Sequence, residues 1–381
     1  MINNNVKKGP EKYFEKIKSM DWVLLLCISA LALVGFVMQY SVAGGSFFPW
    51  ALQQGLRYIF AVFLMIAIAV VDIRFWYRWA WVFFAVSVGL LFVVELFGYV
   101  GMGAKRWIDL KVFKLQPSEL VKIFVIVVLA RYYTSISLYK ISSLRSMCIL
   151  GLILIIPAGL VYRQPDLGTA ILIMAGGLSV AFMAGLSWRW IIPGITLVVA
   201  SVPFIWSVVL RPYQQKRILT FLNPESDPLG KGYHIMQSKI AIGSGGMTGQ
   251  GLMQGRQTQL GFLPEKHTDF IFTVIAEELG FIGSSVVLML ILFILFKIFV
   301  ISHNVYSSFA KLVVMGMGTT FFLYVIINIG MVMGLFPVVG VPLPLVSYGG
   351  TVMITIMVGF GFIQNMWVHR TVENPSTEVE N

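Results

Sequence analysis

The residues best suited to chemistry lie within residues 257–278, where a polar stretch gives way to an apolar one. His267 and Asp269 stand where the apolar run begins, and Glu277 follows Asp269 by eight residues, close to the same helical face. A carboxylate at the edge of a membrane loses solvation, so it is retained where a partner or a reaction offsets that cost. Asp269 is therefore the first candidate for a general base and His267 the second. A helix N-cap is the structural alternative for Asp269.

The composition places these residues in a membrane protein. Of the 381 residues, 58% are hydrophobic and only 12% are charged, which excludes an ordinary water-soluble domain. Apolar runs near the roughly 20 residues of a bilayer crossing predict an all-α, polytopic membrane protein with about ten transmembrane helices. The predicted spans are 22–39, 58–71, 79–97, 120–132, 148–162, 167–185, 190–210, 270–301, 312–335 and 346–367.

Lysine and arginine residues set the orientation of these spans. If the N-terminus is cytoplasmic, most of the lysine and arginine residues in short loops lie on the inner side. An even number of spans then places both termini inside. The chain is then divided into a cytoplasmic N-terminal segment, 1–19, and a membrane domain, 20–370. A long extracytoplasmic loop, 211–268, lies between the seventh and eighth helices of that domain. We expect the acidic cytoplasmic tail, 371–381, to be disordered.

Basic residues on the predicted outer face are an exception to this charge rule. Lys105 and Arg106 lie beside Trp107 in one outer loop, and Arg211 and Arg217 lie at the start of the long loop. Anionic lipid headgroups would attract such charges. A phosphate or pyrophosphate bound by arginine and lysine side chains is the alternative, and interleaved aromatic and glycine residues favour it. Nucleic acid is disfavoured as a partner because the charges face outward and the sequence shows no recognition module.

Four further acidic or basic residues are assigned to a structural or activating polar core. Glu119 and Lys122 fall three residues apart at the start of a predicted span, where they pair with each other or face a polar cavity. Asp166 stands at a predicted helix N-cap, and capping alone would account for it. Glu277 is expected to face the protein interior, with Lys122 as a candidate partner.

Two irregular segments lie on the predicted outer side. The long outer loop contains a short amphipathic helix that ends in a glycine-rich stretch, 243–251, interpreted as a flexible flap over the outer cavity. A nucleotide-binding loop is disfavoured there, because the Walker lysine is absent and no strand precedes the stretch. The last outer loop, 334–351, is broken by prolines and a glycine pair, so we expect it to re-enter and line a groove.

Six motifs occur in a fixed order along most of the chain: GAKRWIDL, QPSEL, RQPDLGTA, QSKIAIGSGG, FLPEKHTDFIFTVIAEELGFIG and PLPLVSYGG. With these motifs the chain resembles the SEDS family (shape, elongation, division and sporulation) of membrane peptidoglycan glycosyltransferases. It resembles the elongation members of that family more than the division members. The stretch GLMQGRQTQL departs mildly from the family pattern, which puts only local loop contacts in doubt.

The resemblance implies polymerisation of lipid II, a disaccharide-pentapeptide carried on undecaprenyl pyrophosphate, at the outer face of the bacterial cytoplasmic membrane. It also implies a complex with a class B penicillin-binding protein, the crosslinking transpeptidase, and with other proteins of the elongation machinery. Asp269 would act as the general base. No cofactor is certain, although a divalent cation, Mg²⁺ or Mn²⁺, is a candidate helper whose ligands are unknown. The predicted substrate-binding and pyrophosphate-binding residues are Lys105, Arg106, Trp107, Arg211, Arg217, His267 and Ser347.

Functions of two other classes stay open on the sequence alone. A transporter that moves lipid II across the bilayer would share the many spans, intramembrane charges and broken helices. A non-catalytic scaffold for the transpeptidase would account for the helices but not for the polar site. The cations cluster on the outer face rather than near the midplane, which favours the enzyme.

Overall fold

The computed structural model describes residues 10–101, 104–109, 114–227, 230–263, 265–373 and 375. Residues 1–9 of the predicted N-terminal segment, and residues 374 and 376–381 of the predicted disordered tail, lie outside this part of the chain. The helices are α1 (Pro10–Lys18), α2 (Trp22–Val42), α3 (Ala51–Val70), α4 (Ile73–Phe97), α5 (Pro117–Thr134), α6 (Leu144–Arg163), α7 (Leu167–Met183), α8 (Trp188–Ala200), α9 (Val202–Phe204), α10 (Pro212–Leu222), α11 (Lys231–Ser244), α12 (Arg256–Gln259), α13 (Ile271–Asn304), α14 (Ser308–Val332) and α15 (Gly350–Val368).

Ten helical elements correspond, in order, to the ten predicted spans: α2 to α7, α8 with α9, and α13 to α15. Seven of the helices in the described ranges are long and apolar enough to cross a membrane. Helix α8 and the segment Val202–Val209, which begins with α9, together form an eighth such element with a 43° bend. The remaining two are α7, which has only 17 residues, and α5, which carries charged side chains. The prediction of an all-α polytopic membrane protein is confirmed.

Both ends of the described chain lie at the same end of the bundle. Asp21, which caps α2, exchanges backbone and side-chain hydrogen bonds with Gln364 in the last turns of α15, at 2.8 and 2.9 Å. Lys297, near the end of α13, forms an ion pair of 2.7 Å with the Asp21 carboxylate. Because the start of α2 meets the end of α15, the chain crosses the bundle an even number of times from α2 through α15.

Helices α5, α7 and α14 pack together at the centre of the bundle. Most side chains of α5 are buried, including Glu119 and Lys122. Glycines permit the close approach: a Cβ atom added at Gly316 of α14 would lie 2.6 Å from Ile126 of α5 and 2.7 Å from Val180 of α7. Small residues are common at helix contacts in membranes. Because lipid is as apolar as the helix surface, the hydrophobic effect does not drive helices together there, and close packing must do so instead.

A small antiparallel sheet adds to the predicted all-helical architecture. Its strands are β1 (Tyr99–Gly101), β2 (Ala104–Asp109) and β3 (Lys114–Leu115), in the order β1-β2-β3. The sheet lies between the end of α4 and the start of α5, and β2 carries Lys105, Arg106 and Trp107. The GAKRWIDL motif thus places its basic residues on a strand rather than in an irregular loop.

Helix α13 is broken at Gly280, which has a φ of +66°. Gln250 and Gly251 donate backbone hydrogen bonds of 3.0 Å to the carbonyls of Glu277 and Glu278 before the break. Phe281 and Ile282, after the break, donate to the carbonyls of residues 246 and 247, at 2.9 and 3.1 Å. The glycine-rich stretch therefore fills the gap in α13, and the prediction that it is a flap over the outer cavity is wrong. Glycine is needed because the backbones meet directly.

Candidate active site

Asp269 lies in the turn immediately before α13 and is half-buried. The N-cap residue of α13 is Phe270 rather than Asp269. The N-cap alternative for Asp269 is therefore wrong. Asn328, fully buried on α14, donates from Nδ2 to the Asp269 carbonyl at 2.9 Å and to the Val341 carbonyl at 2.8 Å. The Asn328 amide therefore links the backbone of Asp269 to the irregular segment between α14 and α15.

The carboxyl group of Asp269 faces Gly340. A Cβ atom added at Gly340 would lie 3.5 Å from Asp269 Oδ2, and the φ of +79° at this position favours glycine. Gly168, at the start of α7, packs on the same segment, because its added Cβ would lie 3.3 Å from Val341. The segment around Gly340 thus lies beside Asp269 and forms one wall of the site. Its re-entry into the membrane stays a prediction.

Arg106 and Asp166 form the second part of the site. Arg106 donates from Nε to the Gln164 carbonyl at 3.1 Å and from Nη2 to the Pro165 carbonyl, and its Nη1 lies 3.9 Å from Asp166 Oδ2. Asp166 accepts from the backbone N–H of Thr169 at 3.2 Å, which confirms its predicted N-cap role on α7. The RQPDLGTA motif therefore holds the arginine of the GAKRWIDL motif in place.

Arg217, on α10, connects these groups with Asp269. Burial lowers the pKa of Arg217, and the charge of Arg106 lowers it further, whereas Tyr213, Asp269 and Asp166 raise it. Its guanidinium lies over the Tyr213 ring at 5.6 Å. Arg217 thus interacts electrostatically with Arg106, Asp166 and Asp269, and we call these four residues the outer charge cluster.

Three other predicted substrate-binding residues border this cluster. Lys105 is exposed and Trp107 half-buried on β2, the strand that carries Arg106. Arg211 is exposed at the start of α10, and its Nη2 donates to the Arg163 carbonyl at 3.4 Å. A contact between these residues and substrate stays a prediction.

His267 belongs to a different environment from Asp269. Its ring stacks on Trp50, with ring centroids 4.7 Å apart, and lies 6.0 Å from the Tyr348 ring. Burial lowers the pKa of His267, so the ring is neutral near pH 7. Because Asp269 faces Gly340 and the arginines while His267 packs between aromatic rings, Asp269 is the better placed general base. Substrate binding by His267 stays a prediction.

Ser347 is buried, with 3% of its surface exposed, and its hydroxyl group is fully engaged. It donates to the Thr268 carbonyl at 2.7 Å and accepts from the Leu343 N–H at 2.8 Å. The adjacent N–H of Tyr348 donates to the His267 carbonyl at 2.8 Å. The structure thus gives Ser347 a contact that positions the backbone before Asp269. A contact between Ser347 and substrate stays a prediction.

We expect Ser347→Ala to lower both stability and activity. The substitution leaves the Thr268 carbonyl and the Leu343 N–H without their partner, and a buried unsatisfied polar group costs about 1–3 kcal/mol. Thermal unfolding in detergent and the polymerisation rate measure the two effects. Ser207→Ala is the control, because Ser207 is exposed and its hydroxyl donates to the Pro203 carbonyl of the preceding turn. A fully stable and active Ser347→Ala protein would contradict this role.

Glu277 is fully buried and anchors α12 rather than pairing with Lys122. Its carboxylate accepts from the backbone N–H groups of Gln257 and Thr258, at 2.7 and 3.1 Å, and from the Thr258 hydroxyl at 2.6 Å. The predicted Glu277–Lys122 pair is therefore wrong. A carboxylate at the N-terminal turn of a helix satisfies donors that the helix itself cannot.

Lys122 instead pairs with Glu119 inside the bundle. Lys122 Nζ lies 2.6 Å from Glu119 Oε1 and also donates to the Tyr324 hydroxyl of α14. Both charged side chains are at most 5% exposed. The predicted ion pair is therefore present, and Lys122 also lines a small, largely apolar cavity between α5, α14 and α15.

The outer charge cluster does not offer a set of metal ligands. Within the described ranges, no group of three or more His, Cys, Asp or Glu side chains could hold a metal ion. Asp166 and Asp269 are the carboxylates of the cluster, and two arginines lie with them. Mg²⁺ is commonly held by one or two carboxylates together with water and substrate phosphates, so these two carboxylates would need a bound pyrophosphate to complete a metal site. Involvement of a divalent cation stays a prediction.

Several residues that build the site were not identified from the sequence. Asn328 holds Asp269, Tyr213 supports Arg217, and Gln39 on α2 donates to the His267 carbonyl at 2.9 Å. Gln54 on α3 donates to the carbonyls of Leu345 and Val346, at 3.2 and 3.0 Å. A single amide within an apolar span is costly without a partner, so Gln39, Gln54 and Asn328 carried a recognisable signal.

The ten-element bundle, with Asp269 before α13 and the outer charge cluster that includes it, defines a polytopic membrane protein with a charged site at one end. The family model of the FtsW, RodA and SpoVE proteins, described as cell cycle proteins, matches residues 21–372. The chain belongs to this family, which is the SEDS family indicated by the six motifs.

Curated relatives and solved structures agree with this assignment. The chain is 40% identical over 376 residues, 99% of this chain and 100% of the relative, to the peptidoglycan glycosyltransferase MrdB of Escherichia coli K12. It is 31% identical to the peptidoglycan glycosyltransferase RodA of Treponema pallidum, over 92% of this chain and 98% of that protein. A chain from a peptidoglycan synthase complex that coordinates polymerization and crosslinking matches with a TM-score of 0.81 and 30% identity, over 92% of this chain and 98% of that one. RodA of Thermus thermophilus matches with a TM-score of 0.68 and 25% identity, over 92% and 97%.

Proposed function

We propose that this protein is a peptidoglycan glycosyltransferase that polymerises lipid II, with Asp269 as its general base. The observation that carries the proposal is the position of the Asp269 carboxyl group, beside Gly340 and within the electrostatic reach of Arg217. Relatives along the full length of the chain are peptidoglycan glycosyltransferases, which supports the reaction class.

The reaction joins a sugar hydroxyl of the acceptor to the anomeric carbon of the donor. Asp269 takes the proton of that hydroxyl as its oxygen attacks, and the bond between the anomeric carbon and the lipid pyrophosphate breaks. The leaving pyrophosphate keeps the electron pair. By analogy with direct displacement at sugars, one step without a covalent intermediate inverts the anomeric centre.

The arginines of the outer charge cluster suit the leaving group. Negative charge develops on the bridging oxygen as the bond breaks, and preorganised cations in a half-buried site stabilise it without reorganisation. Arginine presents planar paired donors that match phosphate oxygens. Arg106 is already fixed by the Gln164 and Pro165 carbonyls, so its position does not depend on the substrate.

An assay of polymerisation in detergent tests the proposed function. Purified protein, together with its transpeptidase partner, is given fluorescent lipid II, and the products are separated by length. We expect glycan strands, because polymerisation requires no second compartment. A protein that moves labelled lipid II between the leaflets of vesicles but makes no polymer in detergent would instead be the transporter.

We expect Arg217→Ala to lower kcat/KM by about 10²-fold, because removal of one electrostatic stabiliser of a transition state has an effect of that size. The initial rate of lipid II polymerisation measures it. Lys216→Ala is the matched control on the same helix, since the Lys216 side chain is 70% exposed and pairs with Asp227 at 3.3 Å. Equal activity of the two variants would show that Arg217 does not act on the substrate.

We infer that the protein lies in the bacterial cytoplasmic membrane with both termini inside and the outer charge cluster outside. The excess of lysine and arginine in the short loops at the terminal side supports this orientation. The similarity to a chain of a synthase complex that couples polymerization to crosslinking supports a class B penicillin-binding protein as partner. Reporter fusions to the termini, and copurification with that transpeptidase, test these two inferences.

A further inference from the structure

A short amphipathic helix, α1, lies at the end of the bundle where the two ends of the described chain meet. Its apolar residues Tyr13, Phe14 and Ile17 fall within one arc about 100° wide, since each helical residue turns the chain by about 100°. Lys16 and Lys18 stand at the two edges of this arc. A cation on each side of an apolar face is typical of a helix that lies in the membrane interface.

Two contacts hold α1 against the end of the bundle. Ile17 is partly buried and packs on the hydrophobic core, and Lys16 Nζ donates to the Val70 carbonyl, at the end of α3, at 2.8 Å. Asp21, three residues after the end of α1, caps α2, so a short turn joins these two helices. Because the spans α2 and α3 begin and end at this level, α1 lies where the bundle meets the membrane surface.

The rest of the apolar arc is left uncovered by the described residues. Tyr13 is 57% exposed and Phe14 is 60% exposed. The Lys18 ammonium group lies over the Phe14 ring, 4.6 Å from its centroid. Aromatic rings are enriched at the membrane–water interface, where a lysine beside them can extend its charged end to the headgroups.

The charge of this segment favours anionic lipid over neutral lipid. Residues 7–18 contain five lysines and two glutamates, so their side chains have a net charge of +3. In the orientation proposed above they face the cytoplasmic leaflet, whose surface is negative because of its anionic lipids. A protein partner is disfavoured, since a stable protein interface uses about 20–30 residues on each side and α1 exposes two aromatic side chains.

We propose that α1 is an interfacial helix that binds anionic phospholipid headgroups of the cytoplasmic leaflet through Lys18, with Tyr13 and Phe14 inserted at the acyl boundary. The bond from Lys16 to the Val70 carbonyl joins this lipid contact to α3, so the contact fixes the depth of the bundle in the membrane. The proposal uses the proposed orientation of the chain but not the proposed reaction.

Fluorescence quenching tests the placement of the helix. Cys27 and Cys148 are the two cysteines of the chain, so their replacement by alanine allows one introduced cysteine to be labelled. In vesicles of lipids brominated on their acyl chains, a label at Phe14→Cys should lose most of its fluorescence, because an interfacial helix buries its apolar face about 5–10 Å deep. A label at Glu15→Cys, on the opposite face of α1, is the matched control and should keep most of its fluorescence. Equal quenching at the two positions, or no quenching at residue 14, overturns the proposal.

A lipid titration tests the choice of headgroup. The full-length protein in detergent is titrated with fluorescent phosphatidylglycerol and, separately, with fluorescent phosphatidylcholine. We expect tighter binding of phosphatidylglycerol, and Lys18→Gln should weaken it about fivefold, the effect of one lysine near an anionic surface. Lys311→Gln, which removes an exposed lysine at the start of α14, is the matched control. Equal affinity for the two lipids, or equal affinity of the two variants for phosphatidylglycerol, overturns the proposal.

Discussion

Asp269→Asn and Asp269→Ala should polymerise lipid II at a rate lower by about 10²- to 10⁴-fold, the contribution of a positioned general base. The asparagine side chain has nearly the same shape as aspartate but cannot take a proton at neutral pH. The carbonyl of residue 269 still accepts from Asn328, so the backbone before α13 is held in the variants too. The loss should therefore lie in kcat and not in folding.

The measurement compares single-turnover rates with purified, transpeptidase-bound protein, and thermal unfolding establishes that each variant is folded. Glu265→Gln is the matched control, because it removes another carboxylate from the same loop, one that is exposed and accepts from the Thr268 hydroxyl at 3.0 Å. Polymerase activity retained in Asp269→Ala would move the general base to another residue, with His267 the first to test.

Lys122→Met should destabilise the protein by about 3–5 kcal/mol, because removal of one partner leaves the other charge buried and uncompensated. Glu119 is 4% exposed and has its Oε1 atom 2.6 Å from Lys122 Nζ. Replacement of both partners leaves no unpaired buried charge. The double variant Glu119→Gln with Lys122→Met should therefore recover most of the lost stability.

Unfolding in detergent, followed for the two single variants and the double variant, completes this cycle. Lys311→Met, which removes an exposed lysine at the start of α14, is the control for loss of positive charge. A double variant as unstable as Lys122→Met would show that lost packing, rather than a stranded carboxylate, causes the effect.

The ion pair also has a route to the catalytic residue. Lys122 contacts Tyr324, and Asn328 lies one turn further along the same face of α14. Asn328 in turn holds the Asp269 carbonyl. The Glu119–Lys122 pair thus helps to position α14, which holds Asp269 through Asn328. Lys122→Met should therefore reduce the activity of the protein that does fold.

Residues with a strong local signal were predicted well. Long apolar runs predicted the ten helical elements, since a bilayer requires stretches of that length whatever they pack against. The spans that looked short, 58–71 and 120–132, extend to Ala51–Val70 and Pro117–Thr134. Asp166 was predicted as an N-cap because capping depends on a few neighbouring residues.

Contacts between distant segments were predicted poorly. Glu277 bonds to residues 257 and 258 rather than to Lys122, and the glycine-rich stretch enters the break in α13. Gly280 carried the only local sign of that break, and a single glycine within an apolar run is common in membrane helices. Neither outcome follows from spacing, because each depends on which segments the bundle brings side by side.

The amino-acid sequence by itself determined that the protein lies in a membrane. It also determined the ten helical elements, the family and the carboxylate most suited to catalysis. These properties follow from composition, from the length of apolar runs and from motifs read within a single segment. The tertiary structure alone decided that Arg217 of α10 interacts with Arg106, Asp166 and Asp269, and that Asn328 and Ser347 hold the backbone before α13. The reason is physical: burial and helix formation are local preferences of the chain, whereas a charge cluster requires helices far apart in sequence to pack in one particular arrangement.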